Sequence, residues 1–241
     1  MTGQRAVIFG ATGGIGAALV AQLERSGSYG TIFAGARKLP SVKRPETVPF
    51  CFDLTDEPSI AQAASTIGEF GRIDLVIVAT GMLHRPNRLM PEKSWRSIDG
   101  RTMAELFAVN TVGPALVAKH FLPLMRCDGR CVFAVLSARV GSIADNRLGG
   151  WHSYRASKAA LNMLVRNFAI ELTSRNVHGI AVAIHPGTVD SALSKPFQSG
   201  VPQGRLFTPD QSATYILSVL DQLSVSSSGG LFAWNGERIP Y

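Results

Sequence analysis

Ala6-Val7-Ile8-Phe9-Gly10-Ala11-Thr12-Gly13-Gly14-Ile15-Gly16-Ala17-Ala18-Leu19-Val20-Ala21-Gln22-Leu23 decides the fold. Ala6 to Phe9 is a short apolar run of the kind a buried strand uses. Gly10, Gly13, Gly14 and Gly16 follow it, and Ala17 to Leu23 is a good helical string. Strand, glycine turn and helix in that order open a βαβ unit. The glycines allow a tight turn and a close approach to the backbone, and the free N–H groups at the helix start attract an anion such as a dinucleotide pyrophosphate. Gly10 and Gly14 are separated by three residues, wider than the common G-x-G-x-x-G spacing. A tight turn with no ligand competes with the binding reading.

The pattern repeats outward from this stretch. Strands are expected at Thr31 to Ala34, Val48 to Phe52, Ile73 to Ala79, Cys131 to Leu136, Ile180 to Ile184 and Gly230 to Trp234. Helices are expected at Pro58 to Ile67, about Trp95 to Met125, Tyr154 to Leu172 and Pro209 to Leu223. Ile73-Asp74-Leu75-Val76-Ile77-Val78-Ala79 is nearly continuous in apolar residues, which suits a central parallel strand covered on both faces. The alternation predicts an α/β fold: a doubly wound parallel sheet (Rossmann fold) in three layers, α/β/α. No internal repeat or linker interrupts residues 1–241, so a single domain is expected. Residues 190–209 are rich in Gly, Pro and Ser, and such a stretch often caps a cleft. Their apolar members Leu193, Pro196, Phe197, Val201, Pro202, Leu206 and Phe207 suggest an apolar ligand.

Composition removes several classes of function. A hydrophobic fraction of 46% with 17% charged residues is that of a globular chain, not a disordered one. No apolar run is long enough to span a bilayer, and the first ten residues lack a signal peptide's apolar region, so a cytoplasmic address and no membrane partner are expected. The formal charge is +7, yet Lys and Arg are scattered in singles and pairs such as Arg37-Lys38 and Lys43-Arg44, which argues against nucleic acid. Cys51, Cys127 and Cys131 are too few for a disulfide framework, and Cys127 with Cys131 has no second ligand pair, so no metal is expected.

Certain residues carry chemistry. Arg37, helped by Lys38, stands just past the second strand, where a cation accommodates an adenosine 2′-phosphate and an acid would instead bind the ribose hydroxyls. This favours NADP(H), with NAD(H) possible, against a plain surface arginine. Asp53, followed by Leu54, could accept from an adenine amino group or serve as a turn carboxylate. Tyr154 and Lys158 sit at i and i+4 on one helix face. A phenol is a poor base near neutrality, and an adjacent ammonium favours its phenolate. His152, His185, Trp95, Phe107 and Phe121 are better explained as wall, surface or core residues.

In this order and spacing, the sequence resembles the short-chain dehydrogenase/reductase family. Gly10 to Gly16 matches the family's TGxxxGxG turn except that Phe9 replaces the leading Thr. Tyr154 to Lys158 matches its YxxxK. Asn110-Thr111-Val112-Gly113 matches its helix Asn motif, and Pro186-Gly187-Thr188-Val189-Asp190-Ser191 its Pro-Gly motif. Ser137 to Ile143, Gly149 to Arg155 and the ending Phe232 to Tyr241 resemble the C-factor-like and Sniffer-like carbonyl reductases. The resemblance implies an oxidoreductase that moves hydride between NADP(H) and a carbonyl or alcohol. Tyr154 would be the proton donor, Lys158 would lower its pKa and bind the nicotinamide ribose, and Asn110 would hold a water. A serine would orient the substrate oxygen. Gly10, Thr12, Gly13, Gly14, Ile15, Gly16, Arg37, Asp53, Leu54, Gly81, Asn110, Tyr154, Lys158, Pro186, Gly187, Thr188 and Val189 would bind the cofactor. A homodimer or homotetramer is the family expectation.

Two departures stand out. Val78-Ala79-Thr80-Gly81 replaces the family's Asn-Asn-Ala-Gly, and Ala138 occupies the register of its serine, three residues before Gly141. Ser137 and Ser142 then compete for the orienting role, Ser137 leading, although successive strand residues point to opposite faces. The altered serine keeps a non-catalytic dinucleotide-binding signalling or sensor protein in view. A sugar-nucleotide epimerase is disfavoured, because the stretch after Lys158 is too short for a second domain.

Overall fold

A computed structural model describes residues 3–39, 45–86 and 88–241; the Lys43-Arg44 pair lies outside the described residues. The elements in chain order are β1 (Arg5–Phe9), α1 (Gly14–Ser26), β2 (Thr31–Ala36), β3 (Thr47–Cys51), α2 (Glu57–Gly68) and β4 (Leu75–Val78). Next come α3 (Gly100–Phe107), a π-helical turn (Ala108–Val112), α4 (Gly113–Phe121), β5 (Cys131–Leu136), α5 (His152–Arg175) and β6 (Gly179–His185). The chain ends with β7 (Thr188–Val189), β8 (Leu206–Phe207), α6 (Pro209–Gln222), β9 (Leu231–Ala233) and β10 (Arg238–Ile239).

Eight strands form one sheet in the order β10-β9-β6-β5-β4-β1-β2-β3, and β7 and β8 pair separately. Every neighbour in the large sheet is parallel except β10, which returns antiparallel to β9 through the turn at Gly236. Strand order reverses between β1 and β4, so their carboxyl ends open a crevice at the switch point.

Side-chain alternation builds the two cores. On β1, Val7 and Phe9 join the cluster under α2, α4 and α5, whereas Ala6 and Ile8 join the one under α1 and α6. β5 divides likewise, with Cys131, Phe133 and Val135 on the first face and Val132, Ala134 and Leu136 on the second. The three-layer reading therefore holds.

The long helix expected from Trp95 to Met125 is interrupted. A 3₁₀ turn at Trp95–Ser97 stops, and Asp99 caps α3 by accepting from the Thr102 N–H at 2.7 Å. The π turn separates α3 from α4, and Pro123 lies in a closing 3₁₀ turn. Trp95, read as a core residue, is instead 67% exposed, with the Arg96 guanidinium 4.9 Å above its ring. Phe121 is core as expected, edge-on to Phe9 at 4.9 Å.

Candidate active site

The glycine turn lies at the end of β1, on the crevice. Gly10 adopts φ +91°, and its N–H and that of Ala11 bond to Gly35 O, pinning the turn to β2. A Cβ on Gly16 would fall 2.1 Å from Gly10 O, so nothing larger than glycine fits where α1 crosses the turn. Gly13, the residue before α1, has no side chain to cap it. Thr12, Gly13 and Gly14 are exposed, and a Cβ on Gly14 would touch Pro209, at the start of α6, at 3.4 Å. An open helix start with uncapped first-turn N–H groups fits a phosphate group.

Arg37 and Lys38 follow β2 and are exposed. Across the same rim, Asp53 accepts from Thr55 N–H at 2.8 Å and Thr55 hydroxyl at 2.7 Å. Those bonds hold its carboxyl below the usual range, and the Arg37 charge adds to them. Both Thr55 donors use Oδ1, the turn-carboxylate arrangement. Leu54 is buried in the core beneath Gly113, so only its backbone can face the crevice.

The π turn sets the position of Asn110. One extra residue per turn bulges the helix, a feature found often at functional sites. Asn110 is fully buried there. Its Oδ1 accepts from Met82 N–H at 2.8 Å, and its amide donates to Met82 O at 2.8 Å and Ser157 Oγ at 3.1 Å. The side chain is thus committed to tying the segment after β4 to α5; a water would have to be held by its main chain. Thr111 hydroxyl donates to Ser157 O at 2.8 Å, a second tie to α5.

Tyr154 and Lys158 lie on the first turns of α5, both buried. Lys158 Nζ donates to Leu136 O, the end of β5, at 2.8 Å and stands 5.9 Å from the Tyr154 ring centroid. A Cβ on Gly81 would lie 3.6 Å from that nitrogen, which places the pair at the carboxyl end of β4. The expected depression of the tyrosine is not what dominates. Burial pushes the phenol above its ordinary value and pulls the Lys158 ammonium down to about 7.

The two serines go elsewhere. Ser137 continues the β5 face turned toward α5, and its hydroxyl donates to Asn162 Oδ1 at 2.7 Å. Ser142 hydroxyl donates to Pro240 O at 2.5 Å and accepts from Asp145 N–H at 3.0 Å, fastening the final segment. Ala138, not a serine, shares an apolar cluster with Tyr154, Met82, Leu83, Leu89 and Leu106. Expecting Ser137 to face the tyrosine therefore requires correction: period-two alternation sends it into the sheet–helix interface.

Only part of residues 190–209 meets this cluster. Leu193 and Phe197 pack on it, whereas Phe207 turns away to Trp234 and Tyr215 at 4.6 and 5.2 Å. Phe197 lies 5.0 Å from Trp151 and 5.6 Å from His84, and Trp151 lies 6.3 Å from Tyr154, ring centroid to centroid. His84 Nε2 reaches Ala192 O at 3.0 Å, so the ring donates there. Trp151 is the one non-glycine among the described residues with positive φ, at 51°, and follows Gly149 and Gly150, both at 63°. That conformation costs a bulky residue about 1–2 kcal/mol. Trp151 and His84 were missed as site residues; the Gly149-Gly150 pair was the available signal for the former.

Gly187 takes φ +79°, and its missing side chain makes room for Phe207 and Trp234. Pro186 O accepts from the Ser212 hydroxyl at 2.9 Å, so β7, with Thr188 and buried Val189, is held beside α6. His185 sits at the end of β6; burial and the Arg139 charge pull its pKa down to about 4, and it is neutral near pH 7. His152, the first residue of α5, is half-buried.

An α/β sheet with a glycine turn at its switch point and a buried tyrosine–lysine pair at the same edge defines a nucleotide-dependent oxidoreductase class. The family described as short chain dehydrogenase matches residues 4–201, and this chain belongs to it. The C-signal protein of Myxococcus xanthus is 35% identical over 60% of this chain and 81% of its own. Among solved structures, the NADPH-bound carbonyl reductase from chicken fatty liver is 28% identical over 99% of both chains, with a TM-score of 0.84. The carbonyl reductase Sniffer of D. melanogaster shares the fold at a TM-score of 0.85 and 19% identity, covering 100% of both chains. The chain is an oxidoreductase of this family, close to carbonyl reductases. No helix among the described residues is long and apolar enough to cross a membrane.

Proposed function

We propose that the protein reduces an apolar carbonyl compound with NADPH, Tyr154 donating the proton. The observation that carries this reading is the pairing of Tyr154 and Lys158, both buried, one helical turn apart at the end of β4. Gly10 and Thr12 through Gly16 would hold the pyrophosphate, and Arg37 with Lys38 the 2′-phosphate. Asp53 and the Leu54 backbone would face the adenine, Gly81 the adenosine side, and Lys158 the nicotinamide ribose. Pro186, Gly187, Thr188 and Val189 would line the carboxamide. The reduced dinucleotide supplies the hydride; the chain supplies orientation and a proton.

Burial suits Tyr154 to that task. A phenol held above its ordinary pKa stays protonated and can hand its proton to the carbonyl oxygen as negative charge develops there. Lys158, near 7, can return a proton to the phenolate left behind. Asn110 keeps the Met82 segment against α5, and Ala138 with Leu193 and Phe197 gives the pocket its apolar walls. Neither Ser137 nor Ser142 is given the orienting role. Free thiols at Cys51, Cys127 and Cys131 suit a reducing, cytoplasmic setting. Met163 and Ile170, seven residues apart and exposed on one face of α5, are the surface on which we place a homodimer.

The test is NADPH oxidation with a panel of ketones, aldehydes and quinones. Tyr154→Phe should cut turnover by about 10²–10⁴-fold while NADPH still raises Tm. Undiminished turnover in that variant would refute the mechanism.

One observation favours a second reading, a dinucleotide-binding signalling protein without turnover. Ala138 puts a methyl group in the cluster around Tyr154 where the family has a serine hydroxyl; the likeness to C-signal is in keeping with that reading. NADPH binding with no turnover on any carbonyl would establish it.

A further inference from the structure

Glu92 takes no part in the steps above, yet its side chain is buried, 5% exposed, and faces the start of α5. One carboxylate oxygen, Oε1, accepts from the Ser153 hydroxyl, and the other, Oε2, accepts from the Ser153 N–H at 3.2 Å. Its main-chain oxygen accepts from Trp151 N–H at 2.5 Å. These donors belong to the residue before α5 and to the second residue of α5; Tyr154 is the next along the chain. Among the described residues no ion pair includes Glu92; its side-chain partners are the two Ser153 donors at the positive end of the helix.

The same contacts hold Trp151 in its left-handed conformation, where a bulky side chain does not rest unaided. Trp151 begins the helix without a side-chain cap of its own. Glu92, reaching across 61 residues of sequence, does that work from another segment. That segment is itself tied at its other end, where Met82 bonds to Asn110.

We propose that Glu92 is a positioning residue for Tyr154, acting through Ser153 and Trp151 to fix the first turn of α5 and one wall of the substrate pocket. This rests on the carbonyl-reductase reading for its kinetic consequence. Misplacing a reacting group by about 1 Å can cost about 10²-fold in rate. Glu92→Ala should therefore lower kcat by roughly 10-fold or more, with the NADPH KM moving less than about threefold, because the glycine turn is untouched. Glu92→Gln keeps one acceptor and the side-chain volume and should retain more kcat than Glu92→Ala. Amide hydrogen exchange supplies a readout that needs no turnover: residues 151–155 should lose protection in Glu92→Ala while residues 17–23 keep theirs.

Ser153→Ala, which removes only the hydroxyl donor, carries the test where Glu92→Ala does not fold; a severalfold fall in kcat is expected. Wild-type kcat in Ser153→Ala and Glu92→Gln, with protection at 151–155 unchanged, overturns the proposal. So does a loss of NADPH binding parallel to the loss of kcat. A wild-type protein inactive on every carbonyl overturns the functional reading instead, and the exchange comparison still decides the place of Glu92.

Discussion

Two helix starts in this molecule treat their unpaired N–H groups in opposite ways. α1 begins at exposed glycines with no side chain hydrogen-bonded over its start. α5 begins under a buried carboxylate from a distant segment, in a stretch closed by Trp151 and Phe197. Both ends carry the same partial positive charge. One leaves it available for an anion from outside, and the other neutralises it internally. On the proposed function, the difference separates an end that would bind from an end that would align: the open start as a receptor, the filled start as a fixture for the side chain that reacts.

Substitutions at each end should separate the two roles. The largest effect is expected at the open start. Gly16→Ala puts a Cβ into Gly10 O, so NADPH should no longer raise Tm in a thermal-shift assay. Survival of that stabilisation would break the contrast. At the rim of the same site, Arg37→Ala should raise the NADPH KM by about tenfold, a little over 1 kcal/mol, and leave NADH nearly unchanged. Equal effects on both nucleotides would show that the arginine reads no 2′-phosphate.

The filled end is tested through Lys158. Its folded pKa near 7 lies below the ordinary 10.5, so between those values the unfolded chain binds more protons. Stability should then rise with pH from about 7 to 10, by at most ~1.4 kcal/mol per pH unit. The raised phenol of Tyr154 acts in the opposite sense only above about 10, where the unfolded chain loses its proton first. Urea denaturation of wild type and Lys158→Met at several pH values isolates the lysine; the variant should lack that slope. Parallel curves would mean that the ammonium is solvated in the folded protein.

The contrast also explains what could be read from the chain in advance. The open start was legible because its residues are contiguous: apolar strand, glycines and helix follow one another from Ala6 to Leu23. Tyr154 and Lys158 were legible for the same reason, being one turn apart. Glu92 was not, since nothing local marks a carboxylate that bonds a residue 61 positions away. Nor was the π turn: Val109, Asn110, Thr111 and Val112 are weak helix formers, but that marks no particular bulge, and the tie of Thr111 to Ser157 is made far along the chain. Ser137 is a different failure. The alternation that directs it to Asn162 was visible along Cys131 to Leu136, but the family register drew attention to its hydroxyl instead.

The ends of the large sheet carry a last consequence. β3, at one margin, contains Pro49, which has no N–H to offer a further strand, and β10, at the other, is two residues long. Neither margin is a template on which another chain could extend the ladder. The architecture thereby discourages fibre-like growth along the sheet.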